Sequence, residues 1–267
     1  MLAAGAMMSI ILFTIVVLIF AGICVYIVKK GRQKQKTLKE EQRLFKLLSN
    51  LKLPPFTKDC IKLAVPLQNL AIVVDDMTTL ERDGAVRRAM LLSYIIMAFA
   101  GRFVAALCDQ KDQPEVLRID LNDTNLDVIT AEAAVWTHFL MEQFWWKDRE
   151  AKLVGDYSII KAAPEIILGL IKERTGCNFK TRWIESRKLY VAAAKNGDSF
   201  NELFASIVFQ SLGCQSLAEP LKTILAPPLE LSWIGLNMTV KLFYISMPSG
   251  FYGTFKNILK QWPDRFK

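Results

Sequence analysis

The residues best suited to chemistry in this sequence are two adjacent aspartates with a third carboxylate shortly after them. Asp75 and Asp76 are followed by Glu81, and arginines stand at positions 82, 87 and 88. Carboxylate oxygens bind Mg²⁺, and a bound Mg²⁺ ion can bridge the oxygens of a diphosphate. Asp75, Asp76 and Glu81 are therefore candidate Mg²⁺ ligands of an enzyme.

Residues 75–82 resemble the first aspartate-rich motif of polyprenyl-diphosphate synthases. That resemblance implies a membrane-associated, Mg²⁺-dependent enzyme that acts on an apolar or diphosphate-bearing lipid. Asp75 and Asp76 would hold the Mg²⁺, and nearby arginines would neutralise the diphosphate. The usual motif has aspartate at its fifth position, where this chain has Thr79, so only Glu81 could replace it. The second aspartate-rich helix that completes the metal cluster is missing from the sequence. The simpler interpretation is that Asp75 and Asp76 form the solvated end of an amphipathic helix.

His138 is the only histidine of the chain, which limits histidine-based chemistry. It precedes Glu142 by four residues and therefore shares one side of a predicted helix with it. A di-iron bundle needs paired Glu-x-x-His units, but residue 135 is Val. A cysteine nucleophile could use His138 if the fold brought the two together. A packed structural histidine is the interpretation that we favour.

Other motifs that bind cofactors or metals are missing from the sequence. It contains no phosphate-binding loop, no dinucleotide-binding GxGxxG, no GxSxG elbow and no HExxH pair. The five cysteines are widely scattered and form no CxxC pair, which fits small core residues in a reducing compartment. We expect no cofactor and no metal outside the alternative enzyme hypothesis.

An unbroken apolar stretch near the N-terminus predicts where the protein resides. Residues 7–28 would form a helix about 33 Å long, enough to cross a hydrocarbon layer roughly 30 Å thick. Signal peptides have a basic n-region and a shorter apolar core, so an uncleaved anchor is favoured over a cleaved signal. All nearby cations follow the stretch, which predicts an external N-terminus and a cytoplasmic C-terminal domain.

The positive charge of the chain is concentrated directly after this anchor. Residues 29–46 have a net charge of +6, whereas the whole chain has +8. The remainder therefore lacks the basic field of a nucleic-acid-binding protein. The cluster fixes topology and could also contact anionic lipid headgroups. Its candidate membrane-surface residues are Lys29, Lys30, Arg32, Lys34, Lys36 and Lys39.

The sequence predicts a domain boundary at Pro54 and Pro55, which end a helical stalk. We expect a transmembrane anchor over 1–28, a basic juxtamembrane stalk over 29–53 and an all-helical cytoplasmic domain over 54–267. Breakers and caps predict helices over about 66–82, 85–109, 126–154, 164–176, 181–196, 199–213, 229–247 and 254–262. The uncharged segments Ala89–Gly101 and Leu231–Val240 are too short for typical spans and are predicted to be core.

Surplus aromatic residues are the candidates for contact with a partner. Phe144, Trp145 and Trp146 are consecutive, and successive helical residues lie about 100° apart, so they cannot all face one core. Trp145 and Trp146 could be buried by neighbouring helices or contact a partner or lipid. Phe255 and Trp262 lie on an aromatic face with basic flanks, which suits either an interfacial helix or one docked on its own domain.

Together these features predict an all-α protein with one N-terminal transmembrane helix, a basic stalk and a multi-helix globular domain. Positioning at the bilayer is encoded strongly, whereas catalytic groups are not. We therefore expect an interaction or assembly subunit of a membrane-associated complex, with an unidentified protein partner. The Mg²⁺-dependent lipid enzyme with Asp75 and Asp76 is the alternative.

Overall fold

The computed structural model describes residues 52–64, 83–109, 125–148, 157–219 and 231–266, with single positions at 39, 42, 46, 48, 119, 121 and 221. The chain divides into two units, Met1–Lys46 and Leu47–Lys267, and every element discussed below belongs to the second. The predicted anchor over 1–28 lies outside the described residues, as do all the candidate membrane-surface residues after it except Lys39. So do Asp75, Asp76 and Glu81.

Within the described ranges the regular structure is helical and contains no strand, which confirms the all-α prediction for this part of the chain. The helices are α1 (Pro55–Ala64), α2 (Gly84–Cys108), α3 (Leu126–Lys147), α4 (Tyr157–Thr175), α5 (Lys180–Asn196), α6 (Phe200–Ser211), α7 (Leu231–Met247) and α8 (Gly253–Gln261). A π-helical turn, Pro248–Tyr252, joins α7 to α8, and a 3-10 turn, Pro263–Phe266, follows.

The junction between α5 and α6 follows local signals in the sequence. Gly197 ends α5 with φ at 77°, a left-handed conformation that glycine adopts without a Cβ penalty. Ser199 then caps α6, because its hydroxyl accepts a 3.3 Å hydrogen bond from the backbone N–H of Glu202. The predicted helix ends at Gly197 and Ser199 are therefore confirmed. Each of them depends only on residues next to it in the sequence.

Helix α1 is not predicted by the sequence, because its N-terminus is capped from another helix. Asp127, in the first turn of α3, accepts 2.8 Å hydrogen bonds from both the backbone N–H and the hydroxyl of Thr57. A carboxylate at this position satisfies N–H groups that have no partner inside the helix. Burial raises the pKa of Asp127, and the bonds from Thr57 oppose that effect.

Helix α3 ends seven residues before the predicted position, at Lys147. Asp148 follows with extended backbone, and its carboxylate accepts hydrogen bonds from the Tyr252 hydroxyl at 2.9 Å and the Lys256 ammonium at 2.7 Å. Both donors lie about a hundred residues further along the chain. The end of α3 is therefore stabilised by tertiary contacts that helix propensity does not reveal.

Helix α2 lies at the centre of the domain. This confirms the prediction that Ala89–Gly101 belongs to the core. It is the one helix of the described residues that is long and apolar enough to cross a membrane, and 83% of its most apolar stretch is buried within the domain. Length and composition alone are weak grounds for a span, since core helices share them. A Cβ on Gly101 would lie 2.2 Å from the backbone oxygen of Cys60, so α1 and α2 cross in close contact.

Aromatic rings fill the space between α2, α3 and α6. Trp136 stacks on Phe204 with centroids 4.3 Å apart, and Phe103 lies 5.2 Å from Phe204. All three side chains are fully buried. Such pairs add to the free energy gained by burying apolar surface. This cluster fixes α6 on α2 and α3 and thereby provides the support for α7.

Candidate functional site

A fully buried carboxylate and a buried guanidinium form an ion pair between α3 and α5. The Arg182 guanidinium donates from Nε to Glu132 at 2.5 Å and from Nη2 to the Ser211 hydroxyl at 2.7 Å. The second oxygen of Glu132 accepts a 2.9 Å bond from Ser186. Burial raises the pKa of Glu132, and the Arg182 guanidinium opposes that shift. Because both carboxylate oxygens are occupied, this pair links helices and has no free group for a substrate.

His138 donates a 2.8 Å hydrogen bond from Nε2 to the backbone carbonyl of Ile160, in α4. That carbonyl would normally accept from the N–H of residue 164, but Pro164 has none. The sequence places Pro164 near the first turn of its helix, whereas the structure has it in the helix interior. The histidine therefore replaces the missing helical donor.

A second group of polar side chains surrounds Glu142, one turn after His138. Arg187 Nη2 lies 2.7 and 2.8 Å from the two carboxylate oxygens, and the Tyr157 hydroxyl also donates to Glu142. The bond to Glu142 and burial together raise the pKa of Tyr157 to about 12. Glu142 is buried and has three hydrogen bonds, so it connects α3, α4 and α5.

These polar groups give no support to a catalytic centre in the described part of the chain. No group of three histidine, cysteine, aspartate or glutamate side chains there could hold a metal ion. The four described cysteines are free thiols, and His138 is bonded to a backbone carbonyl. The Mg²⁺ hypothesis depends on Asp75, Asp76 and Glu81, which lie outside the described residues, and it stays a prediction.

The two tryptophans at the end of α3 differ in exposure. Trp145 is partly buried against the core, whereas Trp146 is 62% exposed. Their rings lie 4.7 Å apart, and each ring lies 5.2 Å from that of Tyr157. Three consecutive helical residues cannot all face one core, and here Trp146 is the residue that turns outward.

The aromatic candidates of the C-terminal segment lie mainly in the interior. Phe255 is fully buried, and Trp262 is partly buried against the same core. The preceding Phe251 ring packs edge-on to Phe99 at 4.4 Å. Neither Phe255 nor Trp262 therefore forms an exposed aromatic face on the described domain. The candidate Lys39 is exposed and belongs to the first unit.

Among the described residues, most of the exposed large apolar side chains lie on α7. Five apolar side chains that follow each other at spacings of three, four, four and three residues are 46–72% exposed: Leu231, Ile234, Met238, Leu242 and Ile245. We call this set the α7 stripe. At 1.5 Å rise per residue it is about 21 Å long. Exposed apolar patches on the order of 400 Å² mark interaction sites on soluble domains.

The opposite face of α7 belongs to the core. Leu236 and Val240 are fully buried, Trp233 packs edge-on to Phe209 at 6.0 Å, and Phe243 lies 5.3 Å from Phe99. The core prediction for Leu231–Val240 therefore holds for only half of the helix surface. In the sequence, apolar residues occur on every face of this helix, and such a pattern indicates that the whole helix is buried. It gives no sign of which face lacks a neighbour.

No family model, curated protein or solved structure matches this chain. The function of the chain can therefore be inferred only from its sequence and from the geometry of the described residues.

Proposed function

We propose that this chain is a membrane-tethered helical module that acts as an assembly subunit, and that the α7 stripe is its docking surface. The observation that supports the proposal is the exposure of five large apolar side chains in one row on a helix whose other face is firmly packed. Leaving such a row in water costs free energy, about 25 cal/mol per Å² of apolar surface. Covering it with another apolar surface removes that cost.

The occupant that fits the stripe is the same stripe of a second copy of the chain. The spacings three, four, four, three read identically in both directions from Met238. In an antiparallel pair centred there, Met238 faces Met238 of the other copy, and Leu231 faces Ile245. The remaining pair brings Ile234 opposite Leu242. Every apolar side chain then meets an apolar one, as a two-fold symmetric interface requires.

The charges near the stripe favour a protein surface over a lipid surface. Interfacial helices have a polar face rich in lysine and arginine. Lys241 is the only charged residue of α7, and its ammonium lies 3.5 Å from the Glu202 carboxylate. The pair neutralises itself and offers no attraction to anionic headgroups. A second copy needs no such charge.

The proposal also includes the transmembrane anchor and its orientation in the bilayer. Residues 7–28 span the bilayer once, with the N-terminus outside, and the cations after them hold the helical domain on the cytoplasmic side. Confinement to a membrane raises the local concentration of copies, so a modest interface is enough for association. The module thus presents a defined pair of domains at the inner membrane surface.

Oxidative cysteine crosslinking of the full chain in native membranes tests the arrangement. Met238→Cys should give a disulfide-linked dimer, because the two copies meet at this residue. Leu231→Cys and Ile245→Cys should crosslink when the two variants are expressed together and much less when either is expressed alone. If the two copies paired in parallel, each variant would instead crosslink with itself. If the copies did not pair, none of the variants would crosslink.

A charge placed in the stripe provides the second test, with a matched control on α5. Ile234 and Ile184 are 46% and 44% exposed, but only Ile234 belongs to the stripe. In a Met238→Cys background, Ile234→Glu should lower crosslinking by about tenfold or more, since two buried carboxylates would face the interface. Ile184→Glu should leave it unchanged. Equal effects of both substitutions, or crosslinking of a wholly different protein in place of a dimer, would contradict the proposal.

A further inference from the structure

A cavity of about 340 Å³ lies between α1, α2 and α4. Protein sites that hold small molecules have volumes of roughly 300–1,000 Å³, so this one lies at the small end of that range. None of its lining residues belongs to the α7 stripe, so it is a separate feature of the domain. Most of its wall is apolar and is formed by Phe56, Leu63, Met90, Met97, Ile166 and Leu170.

The volume of the cavity limits the size of a ligand. An apolar cavity of about 150 Å³ in an engineered protein stays dry and binds one molecule of benzene. The cavity described here is a little more than twice as large, which corresponds to roughly 12 carbon atoms of hydrocarbon. Met90 and Met97 lie about 10 Å apart along α2, so the cavity extends along the helix. A lipid with two long acyl chains is too large for this space.

The hydroxyl groups in the wall already have partners within the protein. The Ser93 hydroxyl donates to the backbone carbonyl of Ala89 at 2.8 Å. The Tyr94 hydroxyl donates to the carbonyl of Leu63 at 3.1 Å. Neither hydroxyl has a proton left to donate to a ligand. A polar group placed against this wall would lose its hydrogen bonds to water without replacement, which costs free energy. The wall therefore favours hydrocarbon.

The charged residues that line the cavity neutralise one another. The Asp59 carboxylate lies 2.8 Å from Arg174 Nε and 4.0 Å from Lys62 Nζ. The Glu173 carboxylate, beside the cavity, lies 3.8 Å from Arg174 Nη1. Two carboxylates thus balance two cations, and all four side chains are at least partly exposed to water. This cluster gives no net attraction to an anionic or a cationic ligand.

We propose that this cavity binds an uncharged hydrocarbon of roughly 12 carbon atoms, held between α1, α2 and α4. The class comprises alkanes, alkenes and terpene hydrocarbons of this size. Binding is driven by removal of apolar surface from water on both the ligand and the wall. The inference concerns the helical domain of one chain and depends neither on the anchor nor on pairing through α7.

Photolabelling of the full chain in proteoliposomes tests the proposal. The probe is a dodecane analogue with a diazirine on its chain, and dodecane, dodecanoate and dodecyltrimethylammonium compete with it at equal concentrations in the membrane. The label should map to lining residues of α2 and α4, and dodecane should displace it at least as well as either ion. A label that dodecane does not displace would overturn the proposal. So would displacement by one of the ions at a concentration about tenfold lower than that of dodecane, because a charged headgroup would then be recognised.

Paired variants in α4 separate loss of the site from loss of the fold. Leu170 lines the cavity, whereas Leu168 is partly buried in the same helix and does not line it. Leu170→Trp fills the space and should lower labelling of the lining residues by about tenfold or more, and Leu168→Trp should leave it unchanged. Urea unfolding of both variants shows whether each domain is still folded. Labelling that survives Leu170→Trp, or that falls equally in two folded variants, would overturn the proposal.

Discussion

His138 shows how a single residue can have a structural role that its chemistry does not suggest. Its Nε2 donates to the Ile160 carbonyl, which Pro164 leaves without a helical donor. The histidine is buried, and burial lowers its pKa. The nearby Glu142 carboxylate raises the pKa of His138 and so opposes burial, whereas the Arg187 guanidinium lowers it further. The neutral ring is therefore the form that the folded domain holds.

This environment predicts a pH dependence of stability. The unfolded histidine has a pKa of about 6.5, and the folded one has a lower pKa, so the unfolded chain binds the proton more readily. Stability from the neutral ring is present above pH 6.5 and is lost as the pH falls. Between pH 7.5 and 5.5 the free energy of unfolding should decrease by up to about 1.4 kcal/mol, measured by urea unfolding of the full chain in detergent.

The matched variant for this test is His138→Gln, whose amide can still donate to the Ile160 carbonyl but does not titrate. Because the chain has one histidine, this variant should lose most of the difference between pH 5.5 and 7.5. His138→Phe leaves the carbonyl unpaired and should destabilise the domain by about 1–3 kcal/mol at both pH values. An unchanged pH dependence in His138→Gln would show that the histidine is not the titrating group.

At the scale of elements, the crossing of α1 and α2 depends on a missing side chain. Gly101 lies against the backbone of Cys60, and the fully buried Cys60 and Ile61 are part of the same contact. Backbone atoms cannot move aside as the end of a flexible side chain can. This close approach also sets the separation of α1 and α2 along the cavity that they share with α4.

Gly101→Ala is therefore expected to destabilise the domain by about 3 kcal/mol or more, since its Cβ would overlap the carbonyl of Cys60. Gly169, on the exposed side of α4, has no neighbour within 4 Å of an added Cβ. Gly169→Ala should instead stabilise the protein by roughly 0.5–1 kcal/mol through helix propensity. Urea unfolding of the two variants measures both effects, and a tolerated Gly101→Ala would mean that α1 can shift freely.

For the whole molecule, the proposed membrane attachment and the proposed pairing of domains depend on different parts of the chain. The proposed anchor is residues 7–28, whereas the proposed pairing surface is the α7 stripe. The helical domain itself keeps most of its apolar residues inside, α2 included. Removing the anchor should therefore abolish membrane retention without exposing the core.

Extraction of membranes with alkaline carbonate measures this retention. The full chain should remain in the pellet, and a variant lacking residues 2–28 should move to the supernatant. Protease added to intact cells should leave the helical domain uncut, whereas protease added to inverted vesicles should digest it. Release of the full chain by carbonate, or digestion from outside, would contradict the proposed topology.

Features that depend on neighbouring residues can be predicted from the amino-acid sequence alone. The all-helical character, the end of α5 at Gly197, the cap at Ser199 and the core position of Ala89–Gly101 all follow from periodicity and local capping. The sequence also shows that the three consecutive aromatics ending at Trp146 cannot all face one core, although it leaves open which ring is exposed. These are short-range effects, and a single sequence contains them.

Features that depend on residues far apart in the chain become visible only in the folded structure. Asp127 caps α1 across 70 positions, His138 supplies the donor that Pro164 lacks, and Tyr252 with Lys256 ends α3. The exposure of the α7 stripe and the cavity beside α4 belong to the same class. Burial depends on which surfaces meet after folding, and an apolar pattern is identical whether or not a neighbour covers it.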